Sequence, residues 1–350
     1  MTDNFDISKL IRPELLELKP YASARDEFST SSKDITFLDA NENPFQSHLN
    51  RYPDPYQTEL KAEIAQFKNL SPKQILLGNG SDEVIDLLVR LFCQPYQDEI
   101  LIFPPTYGMY QVVAELNTVK IKTVNLNADF QIDVSKTLNE ISNQTKLIFI
   151  CSPNNPTGNA MSRENVIQLL NQFKGIVVVD EAYQDFSNQT SMLENLNDFN
   201  NLVVMQTFSK AFGLAGARLG MCFANPDIIQ YLNRIKPPYN VNQLTQDAAR
   251  KQLKNTQDVQ EQINILKEEK LKLKAALKNV DWVKKVYPSD ANFLLVKVDN
   301  ANKRYQMFID HNIVVRNRHG QPGCLNCLRI TVGTPKENAY LIKILNQFKL

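Results

Sequence analysis

Between residues 72 and 224, short apolar runs alternate with segments whose apolar positions recur at helical spacing. That alternation predicts a mainly parallel sheet with helices on its faces. The predicted strands are Ile100 to Phe103, Val119 to Val124, Leu147 to Cys151, Ile176 to Val179, Leu202 to Gln206 and Leu219 to Phe223. Their near-continuous Ile, Val and Leu content suits strands covered on both faces. Val84, Ile85, Leu87, Leu88, Leu91 and Phe92 follow Ser81 at helical spacing, so a helix is expected to begin there with Ser81 as its N-cap.

After Pro237 and Pro238 comes a Lys- and Gln-rich amphipathic stretch from about Leu244 to Leu277. It reads as a connecting helix or helix pair with a solvated charged face. Strand-like Asn292 to Val298, Ile313 to Arg316 and Leu328 to Val332 follow, then an amphipathic terminal helix through Leu341, Ile342, Leu345 and Phe348. The N-terminal segment has weak periodicity and is interrupted by Pro13 and Pro20. The organisation expected is an arm over residues 1–45 that joins the smaller domain, a large α/β domain over 46–245, and a small α+β domain over 246–350 that includes the connecting helix.

A length of 350 residues agrees with about two domains, at roughly 150 residues each. Lys plus Arg number 39 against 38 Asp plus Glu, so there is no electrostatic reason to expect a nucleic-acid partner. The N-terminus MTDNFDISKL has no basic or long apolar region, and no run approaches the ~18 to 20 apolar residues that span a bilayer. A cytoplasmic protein without a membrane partner is expected. Five scattered cysteines do not form a disulfide framework, which agrees with a reducing compartment. Cys324 and Cys327 make a CxxC without a second pair or a His at zinc spacing. No metal is expected, and both read as small residues near a strand.

Four segments carry candidate chemistry. Ile176-Val-Val-Val-Asp180-Glu-Ala-Tyr183 is a buried strand ending in an acid, at the strand end where open α/β sheets bind ligands. Thr207-Phe-Ser209-Lys210-Ala-Phe-Gly213-Leu-Ala-Gly216-Ala-Arg218 follows another such strand, and a desolvated lysine among small residues can condense with a carbonyl. Cys151-Ser-Pro-Asn154-Asn155-Pro-Thr-Gly158 is a turn stiff enough to hold an Asn amide toward the same edge. Gly78-Asn-Gly80-Ser81-Asp82-Glu83 lies at a helix start, where free backbone N–H groups favour a phosphate. Each alone has an ordinary structural explanation: a helix cap, a surface lysine, a turn.

Together and in this order, the four segments resemble the fold-type I aminotransferases that depend on pyridoxal 5′-phosphate (PLP). Within them the chain resembles the histidinol-phosphate aminotransferases. That likeness rests on Pro20-Tyr21-x-Ser-Ala-Arg, Asp39-Ala-Asn41-Glu42-Asn43-Pro44, Arg51-Tyr52-Pro53, Pro104-Pro-Thr-Tyr107-Gly-Met-Tyr110, Cys151 through Gly158, and Cys327-Leu-Arg329-Ile-Thr-Val-Gly333. It implies a large domain with a mainly parallel sheet flanked by helices, plus a smaller α+β domain.

The resemblance implies that Lys210 condenses with PLP and later carries the proton between Cα and C4′, while Asp180 pairs with the pyridine nitrogen. Tyr183 and Asn155 are expected at the 3′ oxygen and Tyr107 stacked on the ring. Gly80, Ser81, Asp82, Ser209 and Arg218 are expected around the cofactor phosphate, with Tyr52 reaching it from the other subunit of a homodimer, and Thr207 is a further implied cofactor contact. Tyr21, Asn41, Asn155, Arg316 and Arg329 are the implied substrate contacts. In Leu328-Arg329-Ile330-Thr331-Val332 the two-residue period sets Arg329 opposite the aliphatic residues, and Arg318 could stand in for Arg316. The implied reaction converts L-histidinol phosphate and 2-oxoglutarate to imidazole-acetol phosphate and L-glutamate. The alternatives are an aromatic amino acid aminotransferase, which shares the whole cofactor set, and a threonine-phosphate decarboxylase, which could use the same phosphate-binding arginines.

Overall fold

The computed structural model describes residues 6–19 and 36–348. Strands β1 (Ile75–Asn79), β2 (Glu99–Ile102), β3 (Lys120–Thr123), β4 (Thr145–Cys151), β5 (Ile176–Asp180), β6 (Leu202–Thr207) and β7 (Leu219–Ala224) form one sheet in the order β1-β7-β6-β5-β4-β2-β3. Strands β3, β2, β4, β5 and β6 are mutually parallel. β7 lies antiparallel between β6 and β1. All residues of β5, β6 and β7 are buried, as strands covered on both faces must be. Alternation divides them between two cores: Ile148 and Ile150 of β4 pack on one side of the sheet, Leu147 and Phe149 on the other.

The pattern of the sequence did not single out β1, because its short Ile-Leu-Leu run passes directly into Gly78-Asn79-Gly80 and shows no alternation. The helix Ser81–Phe92 buries the expected apolar face, but its N-cap is Gly80 and Ser81 is its first helical residue. Gly80 adopts φ 78° and ψ 167°, a backbone state open to glycine, and no side chain caps this helix end. The first-turn N–H groups are thus left for another acceptor.

The smaller sheet comprises β8 (Val283–Val286), β9 (Phe293–Val298), β10 (Arg316–Asn317) and β11 (Cys327–Thr331), antiparallel in the order β10-β11-β9-β8. Of the run expected as a strand from Ile313, only Arg316 pairs. Asn312 takes φ 58° after the helix Ala301–Asp310 and Val314 is 78 % exposed, so residues 313–315 are a connection. The Lys-rich stretch is two helices, Gln243–Leu253 and Thr256–Lys278. Leu294, Val296, Val298, Leu328 and Ile330 share a core with that second helix and with the terminal helix Pro335–Gln347. Phe293, Leu295 and Cys327 point the other way, into the core that includes the large sheet. This phase turns Arg329 toward the large sheet as well. Among the described residues no helix is long and apolar enough to cross a membrane.

Candidate active site

The carboxyl ends of the parallel strands open onto a cavity of about 590 Å³, the usual ligand position of an open α/β sheet. Asn155 reaches it from beyond β4, Asp180 and Tyr183 from β5, and Thr207, Ser209 and Lys210 from β6. Ser81 and Asp82 come from the uncapped helix start, and Tyr107 from the segment after β2. The small sheet closes the opposite side with Arg316 and Arg329, joined by Arg318 and Gln321 from the loop after β10.

Asp180 is only 3 % exposed. Its Oδ2 accepts a 2.6 Å hydrogen bond from the Tyr110 hydroxyl and its Oδ1 accepts from the Ala182 N–H at 3.1 Å. Burial raises its pKa, while the two donors and Lys210 act in the opposite direction. Tyr110 is itself fully buried and stacks on Phe149, with centroids 4.9 Å apart. Lys210 Nζ lies 5.6 Å from the centre of the Tyr183 ring. Its pKa is lowered, first by burial and then by the Arg329 charge. A partly desolvated amine therefore shares the cavity with a carboxylate held in place by two donors.

At the other end, Arg218 pairs with Asp82 at 3.3 Å, and the Tyr107 hydroxyl donates to the second Asp82 oxygen at 2.9 Å. The Thr207 hydroxyl accepts from the Ser209 N–H at 3.1 Å and bonds the Ser209 hydroxyl at 3.0 Å. Gly80 does not line the cavity, yet a Cβ there would run into the Arg218 guanidinium. Gly220 is required for a related reason: its Cβ would overlap the backbone of Gly80 and Ser81. The glycines thus let β7 and the helix start approach closely.

Arg329 donates to Asn155 Oδ1 at 2.5 Å, its guanidinium sits 5.1 Å from the Phe293 ring centre, and its Nε is buried without a partner. An unpartnered buried donor is costly, and here it borders a cavity.

Asn41 and Tyr52 lie apart, in a second cavity of about 480 Å³. Tyr52 stacks on Tyr239, with centroids 4.5 Å apart. Tyr21 falls outside the described residues. Sequence reasoning gave no role to Tyr110, although it lies in a quoted motif. Nor did it find the Thr106–Asn154 pair, in which the Thr106 hydroxyl donates to Asn154 Oδ1 at 3.0 Å and joins two loops of the rim. Cys324 and Cys327 are buried free thiols in a turn leading into β11. Among the described residues no group of His, Cys, Asp and Glu could hold a metal ion.

Residues 34–345 match the model of the family described as aminotransferase class I and II. The chain is 52 % identical over 346 residues to the histidinol-phosphate aminotransferase of Christiangramia forsetii, covering 99 % of each chain. The chain belongs to the histidinol-phosphate aminotransferase family. Its structure is similar to that of the histidinol-phosphate aminotransferase from Clostridium acetobutylicum, with a TM-score of 0.79, 25 % identity, and 86 % of this chain and 91 % of that one covered. The Sinorhizobium meliloti histidinol-phosphate aminotransferase in complex with pyridoxal 5′-phosphate has the same fold, with a TM-score of 0.75 at 23 % identity over 85 % of this chain and 83 % of that one. The cavity of this aminotransferase family member fits that cofactor. An uncapped helix start beside Arg218 and Ser209 suits its phosphate, and a buried carboxylate suits a protonated ring nitrogen.

Proposed function

We propose that the protein transfers an amino group between L-histidinol phosphate and 2-oxoglutarate in two half-reactions, as a step of histidine biosynthesis, with PLP as its cofactor. The observation that carries this is a single cavity holding the Lys210 amine, the Asp180 carboxylate and an arginine wall. When bound, the cofactor supplies an aldehyde for amines and a ring that takes up the electron pair released at the substrate Cα.

Lys210 would hold the cofactor and, as a free amine, would take the proton from the substrate Cα and deliver it to C4′, the carbon on the far side of the amine nitrogen. Its lowered pKa favours the neutral amine that this requires. Asp180, oriented by Tyr110 and the Ala182 N–H, binds the ring nitrogen. Tyr107 is the wall on which the ring rests, held by its bond to Asp82. Tyr183 and Asn155 bind the 3′ oxygen. The N–H groups of Ser81 and Asp82, left uncapped behind Gly80, bind the phosphate together with Thr207, Ser209 and Arg218. Arg316 and Arg329 bind the phosphate of one substrate and a carboxylate of the other, because a guanidinium fork suits both oxyanions; Asn155 and Tyr21 are further substrate contacts, whereas Asn41 lines the second cavity with Tyr52 and is not brought to this one.

Tyr52 serves the second site of a homodimer. Supporting this, Leu38, Phe45, Leu49 and Tyr52 are all exposed in one segment, an apolar surface of the kind that marks an interface. The reading also divides the chain into the arm over 1–45, the PLP-binding domain over 46–245 and the small domain over 246–350. A cytoplasmic location agrees with five free thiols.

The test is purified protein with 2-oxoglutarate and, in turn, histidinol phosphate, phenylalanine and threonine phosphate. Glutamate formed fastest from the first is the expected result. Preference for phenylalanine, or carbon dioxide released from threonine phosphate, would overturn the substrate assignment.

A further inference from the structure

Strand pairing sets Arg316 directly opposite Arg329 on β10 and β11. Arg318 lies two residues beyond Arg316, and its N–H donates to Cys327 O at 2.9 Å, so the ladder contact continues and Arg318 shares the cavity-facing side. Like charges opposite one another on a sheet are destabilising. Each of the three is on the wall of the same cavity, and the only side-chain hydrogen bond among them within the described residues runs from Arg329 to the neutral Asn155. The Nε of Arg318 and of Arg329 is buried with no partner, and so is Oε1 of Gln321. The loop carrying Arg318 is nonetheless built: the Gln321 N–H donates to Arg318 O at 3.0 Å, the Cys324 N–H to Gln321 O at 3.0 Å, and the His319 N–H to Asn317 Oδ1 at 2.9 Å. Burial and the charges of Arg329 and Arg316 all disfavour the Arg318 cation and outweigh the opposite influence of Cys324 and Tyr183. An anion entering the cavity would offset them.

Two opposed arginines suffice for a carboxylate, which has one charge and one planar pair of oxygens. A phosphate monoester carries about −1.5 to −2 at neutral pH and three acceptor oxygens. We propose that Arg318, backed by Gln321, is the residue by which this cavity distinguishes a phosphate monoester from a carboxylate. The inference rests on the amino-transfer reading above and adds to it a third cation that acts in one half-reaction more than in the other.

The test is Arg318→Gln in the holoenzyme, with kcat/KM measured separately for histidinol phosphate and for 2-oxoglutarate. Losing one charge-assisted hydrogen bond corresponds to about 10- to 150-fold, so the ratio of the two constants should fall at least ~10-fold. Arg318→Lys, which keeps the charge, should recover part of it. An unchanged ratio overturns the proposal. Calorimetric titration of both holoenzymes with inorganic phosphate separates this from the wider reading. Should wild type fail to turn over histidinol phosphate, phosphate affinity weakened ~10-fold by the substitution still upholds the role of Arg318, and equal affinities end it.

Discussion

Tyr110→Phe tests whether the carboxylate of Asp180 is tuned by its neighbour. The substitution deletes the hydroxyl that donates to Asp180 Oδ2 at 2.6 Å and keeps the ring, which stacks on Phe149 at 4.9 Å and meets Tyr107 edge-on at 5.6 Å. Packing is therefore retained, and Asp180 keeps the Ala182 N–H. A hydrogen bond to a charged group contributes about 1.5 to 3 kcal/mol. That corresponds to a factor of about 10 to 150 in the balance between the ionised and protonated carboxyl. The sign follows from which form the bond favours. Tyr110 stabilises the ionised carboxylate and opposes the effect of burial, so its loss pushes the Asp180 pKa further up. A protonated Asp180 cannot pair with a ring cation, so the acid limb of the kcat profile should move to higher pH, with activity largely recovered on the alkaline side. The assay is glutamate formation across pH, with Tm measured alongside to exclude damage to the fold. An unmoved acid limb, or an equal loss at every pH, would refute the reasoning.

Lys210→Ala removes both the covalent anchor and the proton carrier; loss of the acid–base role alone lowers turnover ~10²- to 10⁴-fold, and a rate near wild type in glutamate release would exclude Lys210. Arg329→Ala should lower kcat/KM for histidinol phosphate about 10- to 150-fold and that for histidinol much less, with equal losses arguing against a phosphate contact. Gly220→Ala places a Cβ on the backbone of Gly80 and Ser81. Overpacking of this kind costs about 1 to 3 kcal/mol, and since the helix start must shift, PLP should bind more weakly by equilibrium dialysis; unaltered affinity would mean that this end does not hold the phosphate.

The catalytic face was legible in the sequence because it is built from strand ends. β5 and β6 are short apolar runs that finish in Asp180 and Thr207, so the residues that follow each run had to lie on one edge. The phase of Arg329 was legible too, since Leu328 and Ile330 must enter the core of the small sheet. Contacts between distant segments were not. Tyr110 and Asp180 are 70 residues apart, and nothing in the spacing of the sequence says which acid Tyr110 meets. The unpartnered Nε of Arg318 depends on a loop held by its own turns, which no spacing rule reveals. The cap of the helix 81–92 differs by one residue because serine is the commoner cap, whereas the positive φ of residue 80 and the Arg218 guanidinium beside it demand glycine there. Ile313 to Val315 read as a strand from β-branched content alone, and the left-handed Asn312 before them diverts the chain.

The central claim is that Lys210 and Asp180 serve an amino transfer that begins on histidinol phosphate. The most direct measurement is a single half-reaction: PLP-loaded protein mixed with histidinol phosphate alone, with the keto product counted by mass spectrometry. The expected result is one equivalent of imidazole-acetol phosphate per cofactor site and then a halt, relieved by 2-oxoglutarate with release of glutamate, and neither product from Lys210→Ala. Continued turnover without 2-oxoglutarate, or no keto product from wild type, would contradict the account.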